Sequence, residues 1–160
     1  MAIEAGSRMP SGSFGVMTES GPADMSTDEL FGGKKVVLFS VPGAFTPTCS
    51  LKHLPGFFEL ADTIHAKGVD AIACMAVNDV FVMHAWGEAQ GVGDAVLMLA
   101  DGNADYARAL GLEIDSSAWG MGIRSKRFAI IVDDGIATTV AVEEPGQFEV
   151  SSAEAILERL

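Results

Sequence analysis

Three short, uninterrupted apolar runs constrain the fold of this chain more than any other feature. They read KVVLFSV, AIACMAV and AVLMLA and occupy residues 35–41, 71–77 and 95–100. Continuous β-branched and aliphatic runs of this length are typical of strands buried on both faces, as in parallel sheets covered by helices. The segments between and after these runs carry apolar residues at helical spacing, which predicts helices over residues 50–67, 80–90 and 104–110. The sequence therefore predicts an α/β fold built on parallel βαβ units.

The pattern near the C-terminus changes from alternating strands and helices to paired strands. The runs RFAIIV and IATTVAV flank Asp133-Asp134-Gly135. Such a turn favours a β-hairpin because its residues tolerate positive φ. An antiparallel hairpin added to parallel strands makes a central mixed β-sheet, and we expect helices on both of its faces. We expect residues 1–160 to form a single domain.

Local signals indicate where several helices begin, bend and end. Ser26 with Glu29, and Ser151 with Glu154, fit capping boxes that open a short helix and a terminal helix. Pro55 lies inside the helix predicted over residues 50–67, so we expect it to kink or restart that helix.

Composition excludes several classes of function. The net charge of −12 and the pI near 4.4 argue against binding to nucleic acid or to an anionic membrane surface. We find no signal peptide, no membrane-spanning run, no phosphate-binding glycine motif and no metal-ligand spacing, and we expect neither a cofactor nor a metal. The two cysteines, Cys49 and Cys74, are too few and too far apart for a disulfide scaffold. We expect a soluble, cytoplasmic protein.

Cys49 is the strongest candidate for chemistry. It lies in VPGAFTPTCS, residues 41–50, which run from the end of one buried strand into the start of a helix. Free N–H groups and the dipole at a helix N-terminus favour an anion, so this position favours the reactive thiolate. Thr46 can place its hydroxyl beside the sulfur, and Pro42 and Pro47 restrict the loop.

The same residues resemble a known family, the peroxiredoxins. Pro42-xxx-Thr46-xx-Cys49 matches their active-site motif, and three longer segments occur in the family's order. These segments are GKKVVLFSVPGAFTPTCSLKHLPGF, VNDVFVMHAW and RSKRFAIIVDDG. The chain is most similar to the atypical peroxiredoxins of the mammalian fifth class and plant type II. This resemblance implies a thioredoxin-like fold.

The resemblance also implies a thiol-dependent peroxidase that reduces hydrogen peroxide and alkyl hydroperoxides through a Cys49 sulfenic acid. Thr46 would be a hydrogen-bond partner, Pro42 a shield, and Arg127 the basic residue of the active site. Arg127 matches because it immediately precedes the Phe-Ala-Ile strand, whereas Arg124 is a lower-ranked neighbour. Such a guanidinium can stabilise a thiolate and hold a peroxide oxygen.

The route by which the Cys49 sulfenic acid is reduced back to the thiol depends on whether another cysteine of the chain can react with it. Fifth-class enzymes resolve the sulfenic acid with a cysteine near the C-terminus, but GQFEVSSAEAI contains none. Cys74 lies inside an apolar strand, where a cysteine usually behaves as a small buried hydrophobe. The resemblance to plant type II enzymes implies an external reductant, either glutathione with glutaredoxin or thioredoxin. The same resemblance implies a homodimer with contacts near the active-site loops.

Two other functions compete with this interpretation. His53 follows Cys49 by four residues, so a thiolate–imidazolium pair of the kind used by cysteine hydrolases is conceivable. Such a hydrolase would also need an oriented third group and an acyl pocket, which the sequence does not indicate. Alternatively, Cys49 could act without turnover, as a redox sensor or interaction module.

Overall fold

The computed structural model describes residues 1–160 and contains nine β-strands. These are β1 (Ser13–Thr18), β2 (Gly21–Ser26), β3 (Lys35–Ser40), β4 (Ala71–Ala76), β5 (Leu97–Ala100), β6 (Glu113–Asp115), β7 (Ile123–Ser125), β8 (Phe128–Asp133) and β9 (Ile136–Val142). Seven of them form one sheet in the order β2-β1-β5-β4-β3-β8-β9, and β6 pairs with β7 in a separate two-stranded sheet.

Six short α-helices connect and cover the strands. These are α1 (Thr27–Phe31), α2 (Leu54–Glu59), α3 (Ala61–Ala66), α4 (Val80–Gln90), α5 (Asp105–Leu110) and α6 (Ala153–Leu157). A π-helical turn, Cys49–His53, precedes α2, and a 3₁₀ turn, Ser117–Trp119, lies between β6 and β7. None of the helices has both the length and the apolar character required to cross a membrane.

The three apolar runs form the centre of the large sheet, as predicted. β3 pairs in parallel with β4, and β4 pairs in parallel with β5. One face of the sheet carries a core cluster around Phe39, Phe57 and Trp86, and the other carries a cluster around Phe14 and Tyr106. Burial on both faces explains why these strands lack alternating polar residues. The chain has the mixed sheet with flanking helices that is expected of a thioredoxin-like fold.

The predicted hairpin is confirmed and sets the position of the functional site. Asp134 and Gly135 adopt φ values of 45° and 81° in the turn between β8 and β9. β8 pairs antiparallel with β3, so that Phe128 lies opposite Ser40 at the end of β3. Residue 127 is thereby placed beside the loop that leaves β3.

The helix predicted over residues 50–67 is interrupted. The Leu54 N–H bonds to the Cys49 carbonyl five residues earlier, which makes the first turns π-helical. Pro55 lies in the first turn of α2, where its missing N–H and its ring disfavour a continuous α-helical ladder from the preceding turn. A further break at Leu60 separates α2 from α3. Pro55 thus restarts the helix, as the sequence predicts, but the break at Leu60 was not foreseen.

The two capping boxes have different outcomes. Ser26 and Glu29 form the predicted box at the start of α1. At α6 the cap is Ser152 instead, whose Oγ accepts from the Ala155 N–H at 3.1 Å. Ser151 is buried and its hydroxyl donates a hydrogen bond to Glu143, so the predicted box of Ser151 with Glu154 is wrong.

Candidate active site

The loop after β3 leads into a helix that begins at Pro47, and Cys49 lies in the first turn of that helix. The first helical hydrogen bond runs from the Ser50 N–H to the Thr46 carbonyl at 2.9 Å. Proline is favoured at the first helical position because its missing N–H would be unpaired there. Cys49 is fully buried and belongs to the core cluster on this face of the sheet.

The sulfur of Cys49 accepts a hydrogen bond from Arg127. The distance between Arg127 Nη2 and Cys49 Sγ is 3.1 Å. A guanidinium is permanently charged, and a charged donor favours the anionic form of its acceptor more than a neutral donor does. The structure therefore places at the sulfur the arginine that the sequence predicts.

His53 holds the other side of the same guanidinium. Arg127 Nη1 lies 2.8 Å from His53 Nδ1, and His53 Nε2 lies 2.9 Å from the Ser151 carbonyl. Since a guanidinium can only donate and a carbonyl can only accept, Nδ1 is the acceptor and Nε2 carries the proton. His53 is thus a neutral imidazole that binds Arg127 without cancelling its charge.

Burial reinforces the neutral state of His53. The imidazole packs between Phe39 and Phe148, with ring centroids 4.8 and 5.0 Å away. Burial, and then the nearby Arg127 charge, lower the pKa of His53 from 6.5 to about 3. His53 makes no hydrogen bond to Cys49, so the thiolate–imidazolium pair of a hydrolase is absent.

A buried carboxylate anchors the loop that covers Arg127. Glu143 Oε2 accepts from the Ser151 hydroxyl at 2.6 Å and from the Ser151 and Glu149 N–H groups at 2.8 Å. Burial opposes ionisation, but these hydrogen bonds outweigh it and lower the pKa of Glu143. The anchored loop places Phe148 with its ring centroid 5.8 Å from the Arg127 guanidinium carbon, within cation–π range.

Thr46 and Arg124 occupy positions different from that of Arg127. The Thr46 hydroxyl donates to the Gly43 carbonyl at 2.7 Å and makes no hydrogen bond to the sulfur, in contrast to the expectation from the sequence. Its lone pairs remain available because its proton is used to close the turn before the helix. Arg124 donates to the Met121 and Val77 carbonyls at 2.8 and 3.1 Å. It braces loops beside the site and does not contact Cys49.

A cleft of about 680 Å³ leads to this cluster from the surface. Pro42 and Arg127 are among the residues that line it, together with Lys52, Lys126 and Trp119. No group of three or more His, Cys, Asp or Glu side chains is arranged to hold a metal ion. The cleft gives small molecules an approach to Arg127, behind which the sulfur is buried.

Comparison with known proteins assigns the family. The Redoxin family profile matches residues 4–157. Peroxiredoxin-2B of Arabidopsis thaliana is 48% identical over 159 residues, which cover 99% of this chain and 98% of that protein. The chain is a peroxiredoxin. Chloroplastic peroxiredoxin-2E-2 of Oryza sativa subsp. japonica is 56% identical over 147 residues, which cover 87% of this chain and 65% of that protein.

The fold of this peroxiredoxin is shared with a solved relative. Reduced Prx3 of Vibrio vulnificus, in complex with hydrogen peroxide, superimposes with a TM-score of 0.95 at 54% identity and 98% coverage of both chains. As a peroxiredoxin, the chain is a thiol-dependent peroxidase, and the hydrolase alternative is rejected.

The second cysteine of the peroxiredoxin is buried, as predicted. Cys74 lies in the middle of β4 and is 0% exposed. Burial raises the pKa of its thiol, and the proximity of Cys49 raises it further. Cys74 is therefore held as an inert thiol in the folded state.

Sequence reasoning missed the residues that support Arg127. It treated His53 as structural or as a hydrolase base, and it assigned no role to Glu143, Phe148 or Ser151. His53 follows Cys49 by four residues, and that spacing was a usable signal for a residue near the site. Glu143 offered no signal, because an acidic residue usually lies at the surface. Phe148 offered none for its position over Arg127, because nothing in the sequence relates the two residues.

Proposed function

We propose that Cys49 is the residue of this peroxiredoxin that attacks the peroxide, and that Arg127, Thr46 and Pro42 assist it. The observation that carries the proposal is the 3.1 Å hydrogen bond from Arg127 to a sulfur otherwise enclosed by apolar side chains. A low-polarity environment strengthens this interaction and prevents water from weakening it. The substrates are hydrogen peroxide and alkyl hydroperoxides.

The chemical step is a displacement at oxygen. The Cys49 thiolate attacks the outer peroxide oxygen, a sulfur–oxygen bond forms, and the oxygen–oxygen bond breaks. The leaving oxygen takes a proton from the solvent, which received one when the Cys49 thiol ionised, and becomes water or an alcohol. Cys49 becomes a sulfenic acid. The complex of hydrogen peroxide with the Vibrio vulnificus relative supports a site of this size for the smallest substrate.

The neighbouring residues act on the transition state. Arg127 directs a charged donor at the position where negative charge moves from sulfur to the leaving oxygen. Thr46 can accept the peroxide O–H because its own proton is committed to Gly43. Pro42, which lines the cleft, limits the access of water to the sulfur.

An external thiol restores Cys49. Cys74 is buried and the chain has no third cysteine, so no accessible cysteine of the same chain can form a disulfide with the oxidised Cys49. We propose glutathione with glutaredoxin, or thioredoxin, as the electron source.

Turnover is the test of this function. The wild-type protein should consume hydrogen peroxide through many cycles when a thiol is supplied, and Cys49→Ser should abolish consumption. Cys74→Ser is the matched control and should retain most of the activity. Oxidation of Cys49 once per molecule, without further consumption, would instead indicate a redox sensor. Comparing glutathione/glutaredoxin with thioredoxin identifies the reductant.

An exposed apolar patch supports a homodimer. Phe45 and Phe81 are 56% and 63% exposed, and Ala44 donates to Asn78 Oδ1 at 2.9 Å, which ties the loop of Phe45 to the segment that enters α4, where Phe81 lies. Phe45 is also held at a φ of 65°, which is unfavourable for a phenylalanine and fixes its outward direction. Exposed aromatic residues on neighbouring segments are typical of an association surface.

We also propose that the protein resides in the cytoplasm. Two free cysteines and no disulfide suit a reducing compartment. Because one relative is named as chloroplastic, fractionation of the source cells is the appropriate check.

A further inference from the structure

The carboxylate of Glu143 is buried and has no cationic partner. It is 7% exposed, and the one ion pair within 4.0 Å in the structure joins His84 and Glu88 instead. A buried carboxylate costs free energy unless hydrogen bonds compensate for the lost water. Three donors converge on Glu143 Oε2, namely the Ser151 hydroxyl and the N–H groups of Ser151 and Glu149. These hydrogen bonds take the place of a cation and hold the segment around Ser151 at a fixed position.

Glu143 belongs to a closed ring of hydrogen bonds that begins and ends at Arg127. Its backbone N–H donates to the Arg127 carbonyl at 3.0 Å. Its carboxylate holds Ser151, whose carbonyl accepts from His53 Nε2 at 2.9 Å. His53 Nδ1 accepts from Arg127 Nη1 at 2.8 Å, which closes the ring. The backbone and the side chain of Arg127 are thus fixed relative to each other through Glu143.

The ring determines the direction of the hydrogen bond that Arg127 donates to the sulfur. A guanidinium is a rigid planar fork, so a fixed Nη1 also fixes Nη2, which lies 3.1 Å from Cys49 Sγ. His53 can accept from Nη1 only while its own proton is on Nε2, because a proton on Nδ1 would face a second donor. The hydrogen bond made by one ring nitrogen sets the protonation of the other. The position of the Ser151 carbonyl therefore stabilises the tautomer of His53 that holds Arg127.

We infer that Glu143 is a positioning residue for peroxide reduction. It fixes the Ser151 carbonyl, which keeps the proton of His53 on Nε2 and leaves Nδ1 free for the guanidinium. This inference rests on the proposed function, because Arg127 has to assist the attack of Cys49 on the peroxide. Glu143 makes no hydrogen bond to the sulfur and takes no part in the bond changes. It keeps a charged donor in place before the reaction begins, so that no reorganisation is needed in the transition state.

The main test is Glu143→Gln, which keeps the size of the side chain and removes its charge. An amide oxygen accepts weaker hydrogen bonds than a carboxylate does, so Ser151 is held less firmly. The rate of Cys49 oxidation by hydrogen peroxide, measured by stopped flow, should fall by about 3- to 10-fold, as expected when one well-aligned hydrogen bond is lost.

The matched control is Glu144→Gln. It removes the same charge from the next residue, which is exposed and whose carboxylate makes no hydrogen bond. The control should oxidise at the rate of the wild-type protein. An equal fall in both variants would reveal a general effect of charge and would overturn the role of Glu143.

The tautomer of His53 provides a second measurement, which a purely structural role of Glu143 would not change. Long-range proton–nitrogen correlation spectra distinguish a proton on Nε2 from a proton on Nδ1, and the chain has only 3 histidines. His53→Gln assigns the signal of His53 by its absence. Near neutral pH, the reduced wild-type protein should show the neutral Nε2–H form alone. A second form should appear in Glu143→Gln, whereas Glu144→Gln should match the wild type.

Several outcomes would contradict the inference. A wild-type His53 with its proton on Nδ1 would do so without any variant. So would a Glu143→Gln protein that is less stable in urea but keeps the rate and the tautomer of the wild type, since Glu143 would then support only the fold. If Glu143→Gln does not fold, Ser151→Ala takes its place, because it removes the 2.6 Å hydrogen bond to the carboxylate and leaves the Ser151 carbonyl. Its rate should fall by about 2- to 5-fold, and an unchanged rate would overturn the inference.

Failure of the proposed function would look different. Turnover of the wild-type protein with hydrogen peroxide and dithiothreitol tests that function alone, and its absence would reject Cys49 as the residue that attacks peroxide. The spectra of His53 do not depend on turnover. A wild-type protein that turns over, together with unchanged behaviour of Glu143→Gln, would reject the role of Glu143 and leave the function intact.

Discussion

At the scale of single residues, the site keeps one positive charge uncompensated next to a sulfur. Arg127 is held by a neutral histidine, by an aromatic ring and by the sulfur itself, and by no carboxylate. A carboxylate in the place of His53 would bind the guanidinium more strongly but would divide its charge. The observed arrangement directs that charge at Cys49.

Arg127 should matter more for peroxide reduction than Arg124. Arg127→Lys keeps the charge but loses the planar fork that reaches both Cys49 and His53, so we expect the rate of Cys49 oxidation to fall at least about 10-fold, the loss of one directed hydrogen bond. Arg124→Lys is the control, because Arg124 binds only carbonyl groups of loops. Stopped-flow oxidation by hydrogen peroxide measures both variants. A larger loss in Arg124→Lys would show that the active-site arginine is misassigned.

His53 should make the stability of the protein depend on pH. Its folded-state pKa of about 3 lies below the ordinary value of 6.5, so the unfolded chain binds a proton that the folded chain refuses. The free energy of unfolding should therefore fall as the pH drops from 6.5 towards 3, by up to about 1.4 kcal/mol per pH unit from this group. Above pH 6.5 the group should contribute no slope.

Urea denaturation at several pH values measures this effect. In His53→Gln the neutral amide cannot titrate, so the free energy of unfolding should decline less steeply with falling pH than in the wild-type protein. Parallel curves for the two proteins would contradict a neutral, buried His53.

At the scale of secondary-structure elements, α6 is fixed by a serine that the sequence pattern did not single out. Ser152 caps this helix, whereas Glu154 has no part in a capping box. Ser152→Ala should lower the free energy of unfolding by about 1 kcal/mol, the usual value of an N-cap. Glu154→Gln, the control, should change it by less than about 0.5 kcal/mol. Chemical denaturation distinguishes this cap from the predicted box of Ser151 with Glu154, which would make Glu154→Gln costly and leave Ser152→Ala with little effect.

The position of Cys74 within β4 predicts how Cys49 is recycled. A strand residue in the middle of the sheet would have to move before it could form a disulfide with Cys49. After one equivalent of peroxide and an excess of glutathione, mass spectrometry should find a sulfenic acid or a glutathione adduct on Cys49. A Cys49–Cys74 disulfide as the main product, with loss of turnover in Cys74→Ser, would disprove recycling by an external thiol.

The elements themselves were largely predictable, while the contacts between them were not. The buried runs fixed β3, β4 and β8, since a continuous apolar segment bounded by turn residues has few alternatives. The N-terminal hairpin of β1 and β2 was missed because GPADMS carries little strand propensity and is held by its pairing with β1.

The contact between Cys49 and Arg127 was predictable, because family motifs name both residues, while their catalytic roles stay predictions. The roles of His53, Glu143 and Phe148 depend on contacts across as many as 98 residues of sequence, such as the bond between His53 and Ser151. Periodicity in the sequence reflects only local structure, so it does not predict contacts between residues that are so far apart in the chain.

At the scale of the whole molecule, the exposed aromatic patch predicts self-association. Phe81→Arg should convert a dimer into a monomer, because the charge would be buried without a partner at the interface. Phe58→Arg is a suitable control, since Phe58 is 37% exposed and lies on α2, which is not part of the patch. Sedimentation velocity measures the outcome, and a wild-type protein that remains monomeric at high concentration would exclude the dimer.

The register between β3 and β8 also governs when the protein becomes reactive. Cys49 and Arg127 are 78 residues apart and meet only because Ser40 lies opposite Phe128. A slip of one residue would turn the arginine to the other face of the sheet. A growing or misfolded chain therefore lacks the contact between Arg127 and Cys49. We expect its Cys49 to react with peroxide no faster than an ordinary cysteine. On this view, rapid oxidation of Cys49 by peroxide would report that the sheet has formed correctly.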